Sequence, residues 1–177
     1  VEFGTVVAEA ASASGARLVN IGSAWQHLGG ADYRPVSLYA ATKQALASIL
    51  EYYVDARGLD LCTATLFDTY GPGDVRPKLI PSLMRAARDG LTLDMSDGQQ
   101  LIDLTYIDDI VRGIATVALS EECPADSVLR SWAPVTIRQL VDTVAEAIGR
   151  PVSVNWGARP ARDREMREDW VFGESPN

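Results

Sequence analysis

The sequence predicts an α/β fold built on a parallel sheet. Three observations carry that prediction. Helical and extended patterns alternate in the order helix, strand, helix, strand through roughly the first 70 residues. Each of the two helical stretches ends on a glycine, Gly15 or Gly58, and each following run is short, apolar and strand-like. Apolar residues make up 47% of the 177 and charged residues 23%, enough apolar side chain to fill a core.

Each element follows from its local pattern. Phe3, Val6, Val7, Ala10 and Ala11 recur at helical spacing, and Gly15 stands where the helix must stop. Residues 17–22 form a short buried strand. A long helical pattern runs from about 38 to 56 and is closed by Gly58. Residues 59–67 form a second buried strand, and the Gly and Pro content of 70–74 marks a loop. Ligands of open parallel sheets gather beyond the carboxyl ends of the strands, which singles out residues 23–28 and 68–74. Further on, 80–88 reads as a helix and 101–107 as one short strand. Asp108 is placed to cap a helix reaching about residue 119. Thr136 and Gln139 fit a capping box. The stripe Ile137, Leu140, Val141, Val144 and Ile148 follows, and Gly149 and Pro151 end it. Residues 152–156 alternate like a half-buried strand. A subdomain boundary is expected near 77–81.

Charge and composition exclude several classes. A net charge of −8 repels duplex nucleic acid, and no basic stripe offsets it, so no nucleic-acid partner is expected. No run approaches the apolar length of a membrane span and no secretory leader opens the chain, so the expected location is cytoplasmic, away from membranes. Cys62 and Cys123 have no motif spacing, so neither a disulfide scaffold nor a cysteine zinc site is expected. Asp103, Asp108 and Asp109 lie close together without a histidine, and no metal is expected there. His27, the only histidine, makes no hydrolytic set with Ser23, because the Gly-x-Ser-x-Gly turn and a third member are missing. Trp25, Trp132, Trp156 and Trp170 are scattered and fit core or rim positions.

The residues that carry chemistry are Tyr39 and Lys43. A spacing of four places both side chains on one helix face. A phenol titrates at about pH 10, too high for a base at neutrality, and a nearby ammonium favours its anion. Such a pair can pass a proton to or from an alcohol oxygen. Ser23 sits just past a strand end, where its hydroxyl could bond the same oxygen. Arg76 and Lys78 follow the 70–74 loop and are either a grip for pyrophosphate or a solvated turn. With six Tyr and only two Lys in the chain, a Tyr-to-Lys spacing of four is uncommon by chance, which marks the pair Tyr39 and Lys43.

Taken together, Ile21-Gly-Ser-Ala24, Tyr39-Ala-Ala-Thr-Lys43, Tyr70-Gly-Pro-Gly-Asp74 and Leu104-Thr-Tyr-Ile-Asp-Asp109 appear in one order. In that order they resemble the extended short-chain dehydrogenase/reductase family of nucleotide-sugar epimerases, dehydratases and 4-ketoreductases. The resemblance runs from the first residue to about Ile148 and more weakly to Glu165. It implies the C-terminal portion of a Rossmann-like doubly wound sheet in residues 1–78 and a smaller α/β substrate-binding subdomain in 79–177. It implies catalytic roles for Ser23, Tyr39 and Lys43, with Tyr39 and Lys43 also meeting the NAD(H) or NADP(H) cofactor. It implies a nucleotide-sugar substrate against Ser23, Ala24, Trp25, Asp68, Arg76 and Lys78, and a homodimer through helix 40–57. Residues 66–74, 76–79 and 100–104 look closest to the 4-ketoreductases of deoxysugar synthesis, such as CDP-abequose and CDP-paratose synthases. Reduction of a 4-keto-6-deoxy sugar is therefore the expected reaction. A 4-epimerase, or a non-catalytic binding fragment, is the alternative.

Three departures from the family pattern bear on this. The glycine-rich dinucleotide loop is missing from these residues, so the chain is expected to be a truncated form that binds dinucleotide weakly by itself and turns over nothing. Ala24 and Trp25 stand where dehydratases carry an Asp-Glu pair, and neither moves a proton, which disfavours 4,6-dehydration. Asp68 stands where the family commonly has Asn, which points it toward a sugar hydroxyl or a backbone amide rather than a phosphate.

Overall fold

The computed structural model describes residues 1–30, 32–122 and 126–167. Cys123 and Trp170 lie outside the described residues. Helix α1 (Glu2–Ser14) ends on Gly15 in the left-handed conformation, which its missing side chain permits. Strand β1 (Leu18–Ser23) follows, then a single 3-10 turn (Ala24–Gln26) and helix α2 (Leu38–Arg57), capped by Ser37 and closed by left-handed Gly58. Strand β2 (Leu61–Leu66) pairs parallel with β1 in the register Leu18 to Leu61 through Ser23 to Leu66. These are the helix, strand, helix, strand order and the glycine stops that the sequence predicts.

Leu61 packs with Leu18, Leu46, Ile49 and Leu50 against the pair α1 and α2. The next side chain along β2, Cys62, points to the other face, where its Sγ approaches the Val117 carbonyl. Cys62 is fully buried and disulfide-bonded, a bond that the expectation of no disulfide scaffold did not foresee.

Beyond β2 the chain diverges from the sequence expectation. Strand β3 (Asp68–Tyr70) occupies the start of the expected loop. Helix α3 (Leu79–Asp89) leads to strand β4 (Thr92–Met95). The expected single strand over 101–107 is two strands, β5 (Leu101–Ile102) and β6 (Leu104–Tyr106), interrupted at Asp103. Asp103 turns inward to a buried ion pair with Arg130, and its backbone carbonyl accepts the Asp68 N–H at 3.1 Å. Helix α4 (Ile107–Leu119) starts from Tyr106, so Asp108 lies in its first turn and does not cap it.

Strand β7 (Asp126–Leu129) adds to β2 and completes the sheet in the order β1, β2, β7, all parallel. Strand β8 (Val135–Thr136) pairs antiparallel with β5, and helix α5 (Ile137–Ile148) carries the predicted Thr136–Gln139 capping box. Strand β9 (Ser153–Trp156) pairs parallel with β4, and β3 pairs parallel with β6. Leu83, Leu140 and Val141 form the core of this second part, with Val135, Val154 and Trp156 around them.

The carboxyl-terminal segment returns across the molecule. Leu101 N–H donates to the Met166 carbonyl at 2.9 Å, and Met166 packs with Ala24, Phe67 and Val128 beside the end of β1. Among the described residues no helix is long and apolar enough to cross a membrane. No group of three or more His, Cys, Asp or Glu among them could hold a metal ion.

Candidate active site

The parallel strands β1 and β2 bring two loops to one edge, and the candidate residues gather there. Ser23 is the last residue of β1 and the N-cap of the 3-10 turn. Its Oγ accepts the Trp25 N–H at 3.3 Å, and its own N–H donates to Gln26 Oε1 at 2.9 Å. Its hydroxyl proton has no protein acceptor among the described contacts, so it stays available to a ligand.

Helix α2 presents the other two groups. Tyr39 stands in its first turn, 56% exposed, and its hydroxyl makes no protein hydrogen bond among the described residues. Lys43, one turn on and half-buried, has its Nζ 5.9 Å from the Tyr39 ring centroid. Lys43 Nζ also donates to the Ile21 carbonyl at 2.9 Å. That bond crosses from α2 to β1 two residues before Ser23, and it leaves two ammonium donors for a ligand. Lys43 lines a cavity of about 390 Å³ with Asn20, Ile21 and the apolar side chains of Phe3, Leu46 and Leu50. A lysine with spare donors and an unpartnered phenol at a strand's carboxyl end fit the ribose and nicotinamide end of a dinucleotide. The glycine-rich cradle for its pyrophosphate does not occur in the described residues.

The second loop carries Asp68. Its carboxylate lies close to the Trp25 side chain and feels the positive charges of Lys78 and Arg162 and the like charge of Asp103. Burial pushes the Asp68 carboxyl above the ordinary carboxylate range, and Lys78 and Trp25 oppose that push. Trp25, Asp68 and Lys78 thus meet as the sequence places them. Asp68, Gly71, Asp74 and Lys78 line a second, small cavity of about 50 Å³. Gly71 is required there, because a Cβ would stand 2.4 Å from Ile107 Cγ2.

Two of the predicted residues are engaged with other protein groups. Ala24 is buried against Phe67. Arg76 forms a two-point ion pair with Asp74, Nε to Oδ1 at 2.7 Å and Nη2 to Oδ2 at 2.8 Å. That pair holds the Asp74 carboxyl down to about 2 and takes up the guanidinium edge a phosphate would need.

The sequence argument missed Gln26, Gln44, Asp74 and Arg162. A Ser followed three residues later by Gln is a capping-box signal, so Gln26 had a local signature. Arg162 had none, because the tail reaches Asp68 only through the fold.

The chain is similar to several known proteins. The model of the family described as NAD dependent epimerase/dehydratase family matches residues 1–127. CDP-abequose synthase of Yersinia pseudotuberculosis is 28% identical over 160 residues, covering 88% of this chain and 56% of that protein. A probable UDP-glucuronate 4-epimerase of Rhizobium meliloti is 28% identical over 141 residues, covering 68% of this chain and 41% of that protein. Among solved structures, MoeE5 in complex with UDP-glucuronic acid and NAD superposes with a TM-score of 0.76 at 31% identity, covering 94% of this chain and 59% of that one. The chain therefore spans between 41% and 59% of the length of these relatives.

Proposed function

This chain belongs to the NAD-dependent epimerase/dehydratase family, and from that membership we propose that the complete protein is an NAD(P)-dependent oxidoreductase of nucleotide-linked sugars, reducing a 4-keto-6-deoxy sugar. The observation that carries the proposal is a pair of hydroxyls whose protons have no acceptor among the described residues, Ser23 at the carboxyl end of β1 and Tyr39 on α2, with Lys43 one helical turn from the phenol. Two hydroxyl donors and an ammonium with no carboxylate partner among the described residues suit an oxygen that gains negative charge.

Bound NAD(P)H supplies the hydride. Ser23 donates its hydroxyl proton in a hydrogen bond to the ketone oxygen and polarises it. Tyr39 transfers its phenolic proton to the emerging alkoxide. The Lys43 ammonium stabilises the phenolate left behind and holds a ribose hydroxyl with its remaining donors. Trp25 and Asp68 meet the sugar, Asp68 accepting from a hydroxyl. Lys78 and Arg162 supply positive charge for the nucleotide end. Residues 1–78 carry the Ser, Tyr and Lys set, and 79–177 the substrate side. Tyr52 and Val54 leave apolar surface on α2, which suits a homodimer through residues 40–57.

Ala24 and Trp25 support reduction over 4,6-dehydration, since neither side chain moves a proton. The second reading is a 4-epimerase, favoured by the similarity to the 4-epimerase noted above. Incubating the complete protein with NADPH and a 4-keto-6-deoxy nucleotide sugar separates the two. Net oxidation of NADPH with one new alcohol supports the reductase. Redox-neutral interconversion of 4-epimers supports the epimerase, and turnover of neither kind of substrate overturns both.

A further inference from the structure

We propose that Gln26 and Gln44 are positioning residues that lock Ser23 against the helix carrying Tyr39 and Lys43. Gln26 is 7% exposed, although it follows Ser23 by only three residues at the ligand edge of the sheet. Its amide is spent in two directions. Oε1 accepts the Ser23 N–H at 2.9 Å, and Nε2 donates to Gln44 Oε1 at 2.8 Å.

The polarity of this chain of bonds is fixed from one end. A backbone N–H can only donate, so the Gln26 atom facing Ser23 is the oxygen. Its nitrogen then faces Gln44, and the Gln44 atom that meets it is the oxygen. Gln44 follows Lys43 directly, and Lys43 Nζ reaches the Ile21 carbonyl at 2.9 Å. Consecutive residues of α2 therefore grip the end of β1 at two points on either side of Gly22. Gly22 has no room for a side chain, because a Cβ would lie 2.8 Å from Thr65 Oγ1. Moving α2 away from β1 would strain both grips together, Lys43 directly at Ile21 and Gln44 through Gln26 at Ser23.

An apolar pair would fill the same space with no directional bond, so the amides supply orientation. Small errors in the placement of reacting groups cost rate rather than affinity. The latch itself stands on the geometry; its catalytic consequence rests on the oxidoreductase reading above.

The test compares wild type, Gln44→Leu and Gln44→Glu in the complete protein. Gln44→Leu leaves the buried Gln26 nitrogen without an acceptor, whereas Gln44→Glu restores one. Gln26→Leu serves as a second probe that removes both bonds. For Gln44→Leu we expect amide exchange at Ser23 to quicken about tenfold while the core amides of β2 hold. We expect kcat for reduction of a 4-keto-6-deoxy nucleotide sugar to fall about tenfold, with KM and the NADPH Kd within about twofold. Gln44→Glu should restore both readouts.

Unchanged exchange at Ser23 in both Gln44→Leu and Gln26→Leu would overturn the latch. Faster Ser23 exchange with unchanged kcat would remove its catalytic role. Equal loss of kcat in Gln44→Leu and Gln44→Glu would also overturn it. If the wild type turns over no nucleotide sugar, the functional reading fails separately, and Ser23 exchange alone then decides the latch.

Discussion

Asp103 and Ser23 lie at the centres of two polar clusters that differ in how completely their hydrogen bonds are closed. In the Asp103 cluster, Arg130 Nε donates to Oδ2 at 2.8 Å and the Ser131 N–H to Oδ1 at 2.8 Å. The two charged side chains are 1% and 2% exposed. The guanidinium lies between the rings of Phe67 and Trp132, 4.5 and 4.8 Å from their centroids. The Ser23 cluster keeps two hydroxyl protons and two ammonium donors without protein acceptors among the described residues. The clusters are physically joined, since the Asp68 N–H donates to the Asp103 carbonyl at 3.1 Å. A cluster that satisfies itself and excludes water builds structure. A cluster held in place by its neighbours and left with spare donors is ready for another molecule.

The comparison can be broken from either side. Tyr39→Phe removes the proton donor from the open cluster and nothing the fold uses. It should cost turnover about 10³-fold while cofactor affinity and Tm stay at wild-type values, by steady-state kinetics and thermal unfolding. Retained activity would take Tyr39 out of the mechanism.

Arg130→Leu should do the opposite. It leaves the Asp103 carboxylate buried and without its cation, which should cost about 3–5 kcal/mol of stability by denaturant unfolding. If Arg130→Leu unfolds at the wild-type denaturant midpoint, the Asp103 cluster is not the structural one.

Asp68 sits between the two cases, and its substitution has the smallest expected effect. Burial raises its folded-state pKa above the unfolded value, so the folded protein binds the proton more tightly. The carboxylate therefore weakens the fold as pH rises through the unfolded pKa of about 4, and the penalty levels off above the folded pKa. Asp68→Asn should stabilise the protein near neutral pH by less than about 1 kcal/mol, and the gain should vanish below about pH 3. A lower Tm for Asp68→Asn at neutral pH would show that Lys78 and Trp25 outweigh burial.

Much of this was legible along the chain. The glycine stops, the Thr136–Gln139 capping box and the Tyr39–Lys43 spacing are signals within one turn of helix, and each appears in the structure. The split between β5 and β6 was not legible, because β5 pairs with β8 and β6 with β3, and both partners are distant in the chain. Strand β7 escaped notice for a related reason. Its four residues form a strand because β2 offers a free edge. Arg162 reaches Asp68 only because the tail is tied to Leu101 and packed on Phe67.

The sequence by itself determined what each short segment does and which side chains share a helix face, because φ/ψ preference, capping and the 3.6-residue period act over a few residues. Only the tertiary structure decided which carboxylate is sealed, which hydroxyls stay open and which amides hold Ser23 in place. Those outcomes depend on which distant groups arrive to exclude water or complete a hydrogen bond, and a linear pattern carries no record of them.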